Sequence, residues 1–297
     1  MLSAAYLEDY FIPKEVTIDH RWLDVNGKSR QISILRLDAI HPITGGNKTF
    51  KLFENIKQFY KNGFDGIVSV GGQYSNHIAA LAQVGKDLSI PIAGIIRGVE
   101  PDVPTHTIQQ AKENGMEIVY VAREKYRQMR KQENPCVDFS NFENFMFIPE
   151  GGGNELGVEG CKHIAQYIPS EYTHILLAVG TGATLKGLSL QTERHQKIIG
   201  IKVLEARQEE YVFEERESTV NEFVRLNSDF TFGGYAKKSP FLDDFVGKWN
   251  ENQNILIEPI YTGRLFFAVQ QLLQQDYFPE NAKIIVIHSG GMQYFDH

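Results

Sequence analysis

The sequence predicts an α/β protein whose sheets are mostly parallel and are covered by helices on both faces. The first observation is a set of short apolar runs of the kind found in strands buried on both faces. The second is that stretches with helical periodicity separate these runs, which favours right-handed crossovers between parallel strands. The apolar runs are 66–70, 90–96, 116–121, 174–179, 197–203 and 283–288.

The remaining elements follow from periodicity and turn residues. Apolar residues recur at helical spacing in 51–62, 75–88 and 263–275. Segments 16–25 and 31–37 instead alternate around Asn26-Gly27, a dipeptide typical of tight hairpin turns. The polar stretch 123–145 predicts a surface helix with a connecting loop.

Composition excludes several classes of protein. The 297 residues are 42% hydrophobic and 23% charged, which is ordinary for a soluble globular protein. A net charge of −7 argues against a nucleic-acid partner. Cys136 and Cys161 are too few to indicate a disulfide framework, so a reduced, cytoplasmic protein is expected. The sequence shows no signal peptide and no apolar run of roughly 20 residues, so no membrane association is expected.

A lysine at a predicted helix start is the first candidate for chemistry. In Gly45-Gly46-Asn47-Lys48, Asn47 is expected to cap a helix and Lys48 to lie in its first turn. The helix dipole there lowers the pKa of the amine and favours the neutral, nucleophilic form. The glycines allow the backbone to approach a flat cofactor. Lys51, one turn further on, is an alternative, and a lysine at a helix start also occurs without any function.

The second candidate segment follows the predicted strand 66–70, at the kind of turn that lines ligand clefts in α/β proteins. Ser75 is expected to cap the next helix, which is an ordinary structural role. Asn76 could donate a hydrogen bond to a phenolate oxygen. His77 could titrate near neutrality or be structural.

The third candidate segment follows the strand 174–179 and suits a phosphate. Glycines expose backbone N–H groups and threonines add hydroxyls in the segment Gly180, Thr181, Gly182, Ala183 and Thr184. No Gly-Lys-Ser/Thr follows, and Leu185 replaces the third glycine of a dinucleotide motif. The segment therefore predicts a monophosphate site.

Three residues in later segments complete the set. Thr262 or Ser289 could hydrogen-bond a pyridine nitrogen. A hydroxyl there, in place of a carboxylate, leaves that nitrogen largely unprotonated and favours elimination chemistry. Tyr261 could act as an acid or base if its pKa fell well below about 10, or it could simply pack at a helix start.

The order of these segments resembles that of the 1-aminocyclopropane-1-carboxylate deaminase and D-cysteine desulfhydrase family, which are fold-type II pyridoxal-phosphate enzymes of the tryptophan synthase β-like group. The matching segments are Gly45-Gly46-Asn47-Lys48, Ser75-Asn76, Gly180-Thr181-Gly182, Pro259-Ile260-Tyr261-Thr262-Gly263 and His288-Ser289-Gly290-Gly291. Each alone is a weak signal, whereas five in this order are specific. The resemblance implies two three-layer α/β domains, 50–145 and 1–49 plus 146–297, with pyridoxal 5′-phosphate in the cleft between them.

The resemblance also implies a role for each residue. It makes Lys48 the Schiff-base lysine, with Ser75 and Tyr261 as its catalytic partners. Cofactor contacts are expected from Lys48, Asn47, Asn76, Gly180, Thr181, Gly182, Ala183, Thr184, Thr262 and Ser289. Substrate contacts are expected from Ser75, Asn76, His77, Tyr235 and Tyr261, and no metal is expected.

The implied activity is release of ammonia and a 2-oxo acid from a small amino acid, as in D-cysteine desulfhydrase. Alternatives are ring opening by a 1-aminocyclopropane-1-carboxylate deaminase, racemisation, and a non-catalytic phosphate-ligand binding protein on the same scaffold. Phe50 and Tyr74 depart from the Arg and Gln common in the family, Thr262 replaces the Glu of the deaminases, and His77 is of the desulfhydrase type. These differences disfavour ring opening. A homodimer is the expected assembly.

Overall fold

The computed structural model describes residues 2–129, 140–203, 232 and 239–291. In these ranges the strands are β1 (Ile18–Val25), β2 (Lys28–Arg36), β3 (Gly66–Gly71), β4 (Ile92–Arg97), β5 (Glu117–Val121), β6 (Phe145–Ile148), β7 (His174–Val179), β8 (Lys197–Lys202) and β9 (Ile284–His288). The α-helices are α1 (Ala4–Phe11), α2 (Asn47–Asn62), α3 (Asn76–Leu88), α4 (His106–Glu113), α5 (Arg123–Met129), α6 (Glu155–Cys161), α7 (Ala183–Ser189), α8 (Pro240–Gln253) and α9 (Thr262–Gln274).

The strands form two sheets. The first has five strands in the order β1-β2-β9-β7-β8, and all its pairs are parallel except the β1–β2 hairpin. The second has four strands in the order β5-β4-β3-β6 and is entirely parallel. The predicted α/β class with mostly parallel sheets is therefore confirmed.

Both faces of each sheet are buried, as the continuous apolar runs predicted. In the five-stranded sheet, Leu176 and Val286 pack against α8 and α9, whereas Leu177 and Ile287 pack against α6 and α7. In the four-stranded sheet, Ile67 faces the core that includes α2 and α3, and its neighbours Val68 and Val70 face the core that includes α5. Each sheet is thus the middle layer of three.

Helix α2 links the two halves of the molecule. Phe50, in its first turn, is buried with Leu35 and Leu177 of the five-stranded sheet. Phe53 and Ile56, further along, are buried with residues of the four-stranded sheet. The position of the first turn of α2 is therefore set by both cores. The domain bounds 50–145 and 1–49 plus 146–297 stay a prediction.

The local predictions can be compared with the structure element by element. The predicted hairpin forms, because Asn26 and Gly27 both have positive φ (52° and 75°) and Val25 pairs with Lys28, as in a type I′ turn. The six predicted strands and three predicted helices are present, with ends shifted by a few residues. Strand β6 and helices α1, α4, α6 and α8 were not predicted.

The described residues were compared with the requirements for a membrane-spanning helix and for a metal site. Among the described residues, no helix combines the length and the apolar character needed to cross a bilayer. Within the same ranges, no three His, Cys, Asp or Glu side chains are grouped closely enough to hold a metal ion.

Candidate active site

The candidate residues lie where strands of both sheets end and helices begin. The turn after β3 leads to Ser75 and α3, and the turn after β7 leads through Gly180 and Thr181 to α7. Ser289 directly follows β9, which pairs in parallel with β7, so the segments after these two strands lie at the same edge of the sheet. This is the edge at which open α/β sheets bind ligands.

The start of α2 is packed against the backbone that follows β9. The Asn47 N–H donates to the Ser289 carbonyl oxygen at 3.2 Å. Gly46 has φ 91°, and a Cβ added to it would lie 2.1 Å from the same oxygen. A Cβ on Gly45 would lie 2.1 Å from the His41 carbonyl oxygen. Backbone contacts within the protein therefore require glycine at both positions, whereas the sequence analysis predicts glycines that allow a cofactor to approach.

Asn47 differs from its prediction, because the residue that caps α2 is Gly46 and Asn47 is the first helical residue. Its side chain instead bridges two other candidates. Asn47 Nδ2 donates to Thr184 Oγ1 at 2.9 Å, and its Oδ1 accepts a hydrogen bond from Lys48 Nζ at 2.8 Å. The amide thus connects the lysine to the loop after β7.

The Lys48 amine is in an environment that disfavours its charged form. Burial and the nearby Lys51 ammonium lower the pKa of Lys48 to about 7, against opposing effects of Cys161 and Glu258. The direction is the predicted one, but burial is the largest cause, whereas the sequence argument relied on the helix dipole. A substantial fraction of the amine is therefore neutral at physiological pH.

Lys51 is hydrogen-bonded to the predicted phosphate loop. It is 4% exposed, and its Nζ donates to Thr181 Oγ1 and to the Gly151 carbonyl oxygen, both at 3.1 Å. Burial lowers the pKa of Lys51 as well. The sequence presented Lys51 only as a rival to Lys48, and the structure shows that the two amines have different partners.

The loop after β7 has the form expected of an anion cradle. Gly182 has φ 86° and precedes the first turn of α7, and Ala183 and Thr184 are buried in that turn. Thr184 Oγ1 accepts the hydrogen bond from Asn47 and a weak one from Cys161 Sγ at 3.7 Å. The Thr181 side chain meets the Lys51 ammonium. Together with Lys51, this loop can hold a phosphate monoester.

The segment after β3 supplies Ser75, Asn76 and His77. Ser75 caps α3, and its Oγ accepts a hydrogen bond from the Ile78 N–H at 3.3 Å. Asn76, the first residue of α3, is half-buried. The capping role predicted for Ser75 is therefore present, and its side chain is also only half-buried, which leaves it accessible to a ligand.

His77 does not titrate near neutrality, as the sequence had suggested it could. It is 1% exposed, and burial, with the charges of Lys48 and Lys51, lowers its pKa to about 3. Ser69 Oγ donates to the Ile148 carbonyl oxygen at 2.7 Å, so it accepts from His77 Nε2–H at 3.0 Å. The imidazole is therefore neutral, with its lone pair on Nδ1, a buried atom that has no hydrogen-bond partner among the described residues.

Thr262 and Tyr261 lie at the start of α9. Thr262 is fully buried, its Oγ1 accepts from the Glu258 N–H at 3.0 Å, and the hydroxyl lies 3.1 Å from Glu258 Oε1, to which it donates. Tyr261 is partly buried and packs against the core formed by α8, α9 and the five-stranded sheet. The Thr262 hydroxyl is thus engaged within its own loop.

Some predictions lie outside the described residues, and some site residues were missed. Tyr235 and Cys136 lie outside the residues that the structure describes. Sequence reasoning overlooked Glu258, a buried carboxylate that receives hydrogen bonds from the start of α9. Its place four residues before Thr262, at the beginning of a helical pattern, was the available signal.

Comparisons with known proteins give a consistent result. The model of the family described as "Pyridoxal-phosphate dependent enzyme" matches residues 23–230. A Pyrococcus horikoshii protein named "Putative 1-aminocyclopropane-1-carboxylate deaminase" is 26% identical over 265 residues, covering 84% of this chain and 80% of the relative. A Thermotoga maritima protein of the same name is 25% identical over 281 residues and covers 88% of both chains.

Among solved structures, an ACC deaminase homologue superposes on this chain with a TM-score of 0.77 at 23% identity. The alignment covers 100% of this chain and 98% of the homologue. These structural values describe a shared fold.

Proposed function

We infer that this chain, which belongs to the family of pyridoxal-phosphate dependent enzymes, is a lyase. We propose that it releases ammonia and a 2-oxo acid from a small amino acid, with D-cysteine as the favoured substrate. The family model covers well over half of the chain, and the cofactor is pyridoxal 5′-phosphate. The fold is that of fold-type II enzymes. The release of ammonia and a 2-oxo acid, and the role of each residue in it, are our proposal.

The observation that carries the proposal is that two lysines one turn apart on α2, Lys48 and Lys51, have different hydrogen-bond partners. The Lys51 ammonium donates to Thr181 Oγ1 in the glycine loop, which suits it to hold the cofactor phosphate. Lys48 is held by Asn47, and the pKa of its amine is lowered to about 7, which suits it to bond the cofactor aldehyde. We therefore assign the covalent role to Lys48 and the phosphate role to Lys51, Thr181 and the backbone of 180–184.

The bound cofactor supplies an electron sink that stabilises negative charge at the substrate α-carbon. The neutral Lys48 amine would take the proton from that carbon, because the pKa of the amine lies close to the working pH. We assign substrate binding and the exchange of a second proton to Ser75, which caps α3, and Tyr261, which lies at the start of α9. His77 is neutral and serves as a polar wall.

The pyridine nitrogen is assigned to Ser289. The Thr262 hydroxyl already donates to Glu258 Oε1 and accepts from the Glu258 N–H, so its hydrogen-bonding capacity is largely used. Ser289 follows β9 and its carbonyl oxygen fixes the start of α2. A hydroxyl partner leaves the nitrogen largely unprotonated, which favours β-elimination. The sulfur of cysteine leaves from the β-carbon, and hydrolysis of the product then gives pyruvate, ammonia and sulfide.

Borohydride trapping tests the lysine assignment. The protein is loaded with pyridoxal phosphate, reduced, digested and mapped by mass spectrometry. We expect the added mass on Lys48 in the unchanged protein and its loss in Lys48→Ala. The matched control Lys51→Arg keeps a cation at the loop and should retain the mass on Lys48, with cofactor affinity lowered roughly tenfold. Trapping on Lys51 in the unchanged protein would refute the assignment.

A substrate panel tests the reaction. The holoenzyme is incubated with D- and L-cysteine, D- and L-serine, D- and L-aspartate and 1-aminocyclopropane-1-carboxylate, and 2-oxo acid, ammonia, sulfide and chirality are measured. D-cysteine should give equal amounts of the three products. Release of 2-oxobutanoate from the cyclopropane substrate would favour the deaminase alternative, and inversion without ammonia would favour a racemase. A loaded protein that turns over none of them would favour a non-catalytic binding protein.

A further inference from the structure

Glu258 is a buried carboxylate that contacts neither the cofactor nor the substrate in the proposed mechanism. It is 2% exposed and precedes α9 by four residues. Its Oε1 accepts hydrogen bonds from the N–H groups of Tyr261 at 2.9 Å and Thr262 at 2.7 Å, and from the Thr262 hydroxyl at 3.1 Å. Its Oε2 accepts from the Ile260 N–H at 2.6 Å. One side chain therefore fixes three successive amides at the start of α9.

The same carboxylate lies against the glycine loop that follows β9. A Cβ added to Gly291, which has φ 104°, would lie 2.8 Å from Glu258 Cγ and 3.1 Å from its Oε1. A Cβ added to Gly290 would lie 2.9 Å from the Gly45 carbonyl oxygen, beside the start of α2. The glycine loop Gly290-Gly291 therefore lies between Glu258 on one side and the start of α2, which carries Lys48, on the other. Neither contact leaves room for a side chain on the loop.

The carboxylate also belongs to the charge environment of Lys48. Burial and Lys51 lower the pKa of Lys48, and Cys161 and Glu258 raise it. His77, whose pKa is lowered in part by the charge of Lys48, is neutral at working pH. Burial raises the pKa of Glu258 above its ordinary value, and the hydrogen bonds from Thr262, Ile260 and Tyr261 oppose this rise. Four donors at a helix start favour the ionised carboxylate.

Arg264 and Tyr261 are the other titratable groups near Glu258, and the Arg264 guanidinium donates to the Val203 carbonyl oxygen. The arginine therefore has a backbone partner, and the start of α9 takes up the hydrogen-bonding capacity of the carboxylate.

We propose that Glu258 is a positioning residue of this active site, which holds Tyr261 and Thr262 in place at the start of α9 and whose negative charge helps to set the protonation of Lys48 across the glycine loop. Loss of the charge removes a neighbour that favours the Lys48 ammonium, so more of the amine becomes neutral. Loss of the geometry moves Tyr261, which lowers turnover more than binding. The inference rests on the proposed role of Lys48.

The charge is tested in cofactor-free, full-length protein. The pH dependence of Lys48 modification by trinitrobenzenesulfonate is measured by peptide mass spectrometry, for the unchanged protein, Glu258→Gln and Glu258→Asp. Glu258→Gln should move the midpoint of Lys48 to lower pH by about one unit. Glu258→Asp keeps the charge and should leave the midpoint in place. Glu251→Gln, which removes an exposed carboxylate on α8, is the matched surface control.

An unmoved Lys48 midpoint in folded Glu258→Gln, or an equal shift in Glu258→Asp, would overturn the electrostatic part of the proposal. The positioning part is tested with holoenzyme. Glu258→Asp should lower kcat roughly tenfold with little change in KM, and unchanged kcat would overturn it. Because the labelling needs neither cofactor nor substrate, it reports on the Glu258–Lys48 coupling even if borohydride trapping places the cofactor on another lysine.

Discussion

Lys48 and Lys51 lie one turn apart on α2, and their amines have different neighbours. Lys48 contacts Asn47, and Lys51 contacts Thr181 and Gly151. The tetrapeptide Gly45-Gly46-Asn47-Lys48 made Lys48 a candidate beside Lys51, and the family resemblance made Lys48 the preferred one. The lowered pKa of Lys48 was predicted in direction but arises mainly from burial, which depends on segments distant in sequence. For the same reason the sequence left open whether His77 titrates near neutrality or is structural, since the strand and loops that bury it and lower its pKa could not be placed.

The neutral state of His77 predicts a pH-dependent stability of the cofactor-free protein. Its pKa is about 3 in the folded state, against about 6.5 in an unfolded chain. As the pH falls from about 6.5 towards 3, the unfolded chain binds a proton that the folded protein does not, so the free energy of unfolding falls by up to about 1.4 kcal/mol per pH unit from this residue.

Urea unfolding of the unchanged protein and of His77→Gln, at several pH values between 7 and 4, measures this contribution. Glutamine can still donate a hydrogen bond to Ser69 but does not titrate. The difference in the free energy of unfolding between the two proteins should shift in favour of His77→Gln as the pH falls. A constant difference across this range would show that His77 is not held neutral.

At the scale of elements, the start of α2 illustrates what periodicity cannot predict. The apolar stripe predicts the helix only from Lys51, and the capping signal at Asn47 predicts a start at Lys48, one residue after the start at Asn47 in the structure. The reason is that Gly46 and Asn47 are fixed by Ser289, some 240 residues away along the chain. Strand β6 was missed because Phe145–Ile148 is only four residues long. Helix α8 was missed although Leu242, Val246 and Trp249 recur at helical spacing, so its pattern was available in the sequence.

Gly46→Ala should disrupt this helix start. A Cβ would lie 2.1 Å from the Ser289 carbonyl oxygen, and φ is 91°, so we expect a loss of about 3 kcal/mol or more in the free energy of unfolding. The matched control is Gly63→Ala at the other end of α2, where φ is 68° but no atom lies within 4 Å of the added Cβ. That substitution should cost about 1 kcal/mol. Chemical denaturation measures both, and equal losses would contradict the role of the backbone contact.

At the scale of the whole molecule, the two sheets differ in how their strands are distributed along the sequence. The strands of the four-stranded sheet, β3 to β6, are consecutive. In the five-stranded sheet, β2 pairs with β9, so that Ser33 lies opposite Ile285. The alternation of apolar runs predicted the class of fold and most strands. It could not predict this partition, because pairing between distant strands leaves no local pattern.

This topology predicts the order of folding. Contacts between distant segments require costly loop closure, so the four-stranded sheet should become protected before β2 and β9 do. Pulse-labelling hydrogen exchange during refolding of the full chain measures the order in which amides become protected. We expect Ile67 and Ile95 to gain protection before Ile34 and Val286. Simultaneous protection of all four would indicate a single cooperative unit.

The pairing of β2 with β9 also has a consequence during synthesis on the ribosome. The backbone that fixes the start of α2 belongs to Ser289, roughly 140 residues after the end of the four-stranded sheet. At 5–20 residues per second, the ribosome needs roughly 7 to 30 s to make that stretch. A nascent chain can therefore hold one finished sheet while the loop around its reactive amine is still unassembled. The chemistry proposed for Lys48 would begin only when translation has supplied the residues after β9.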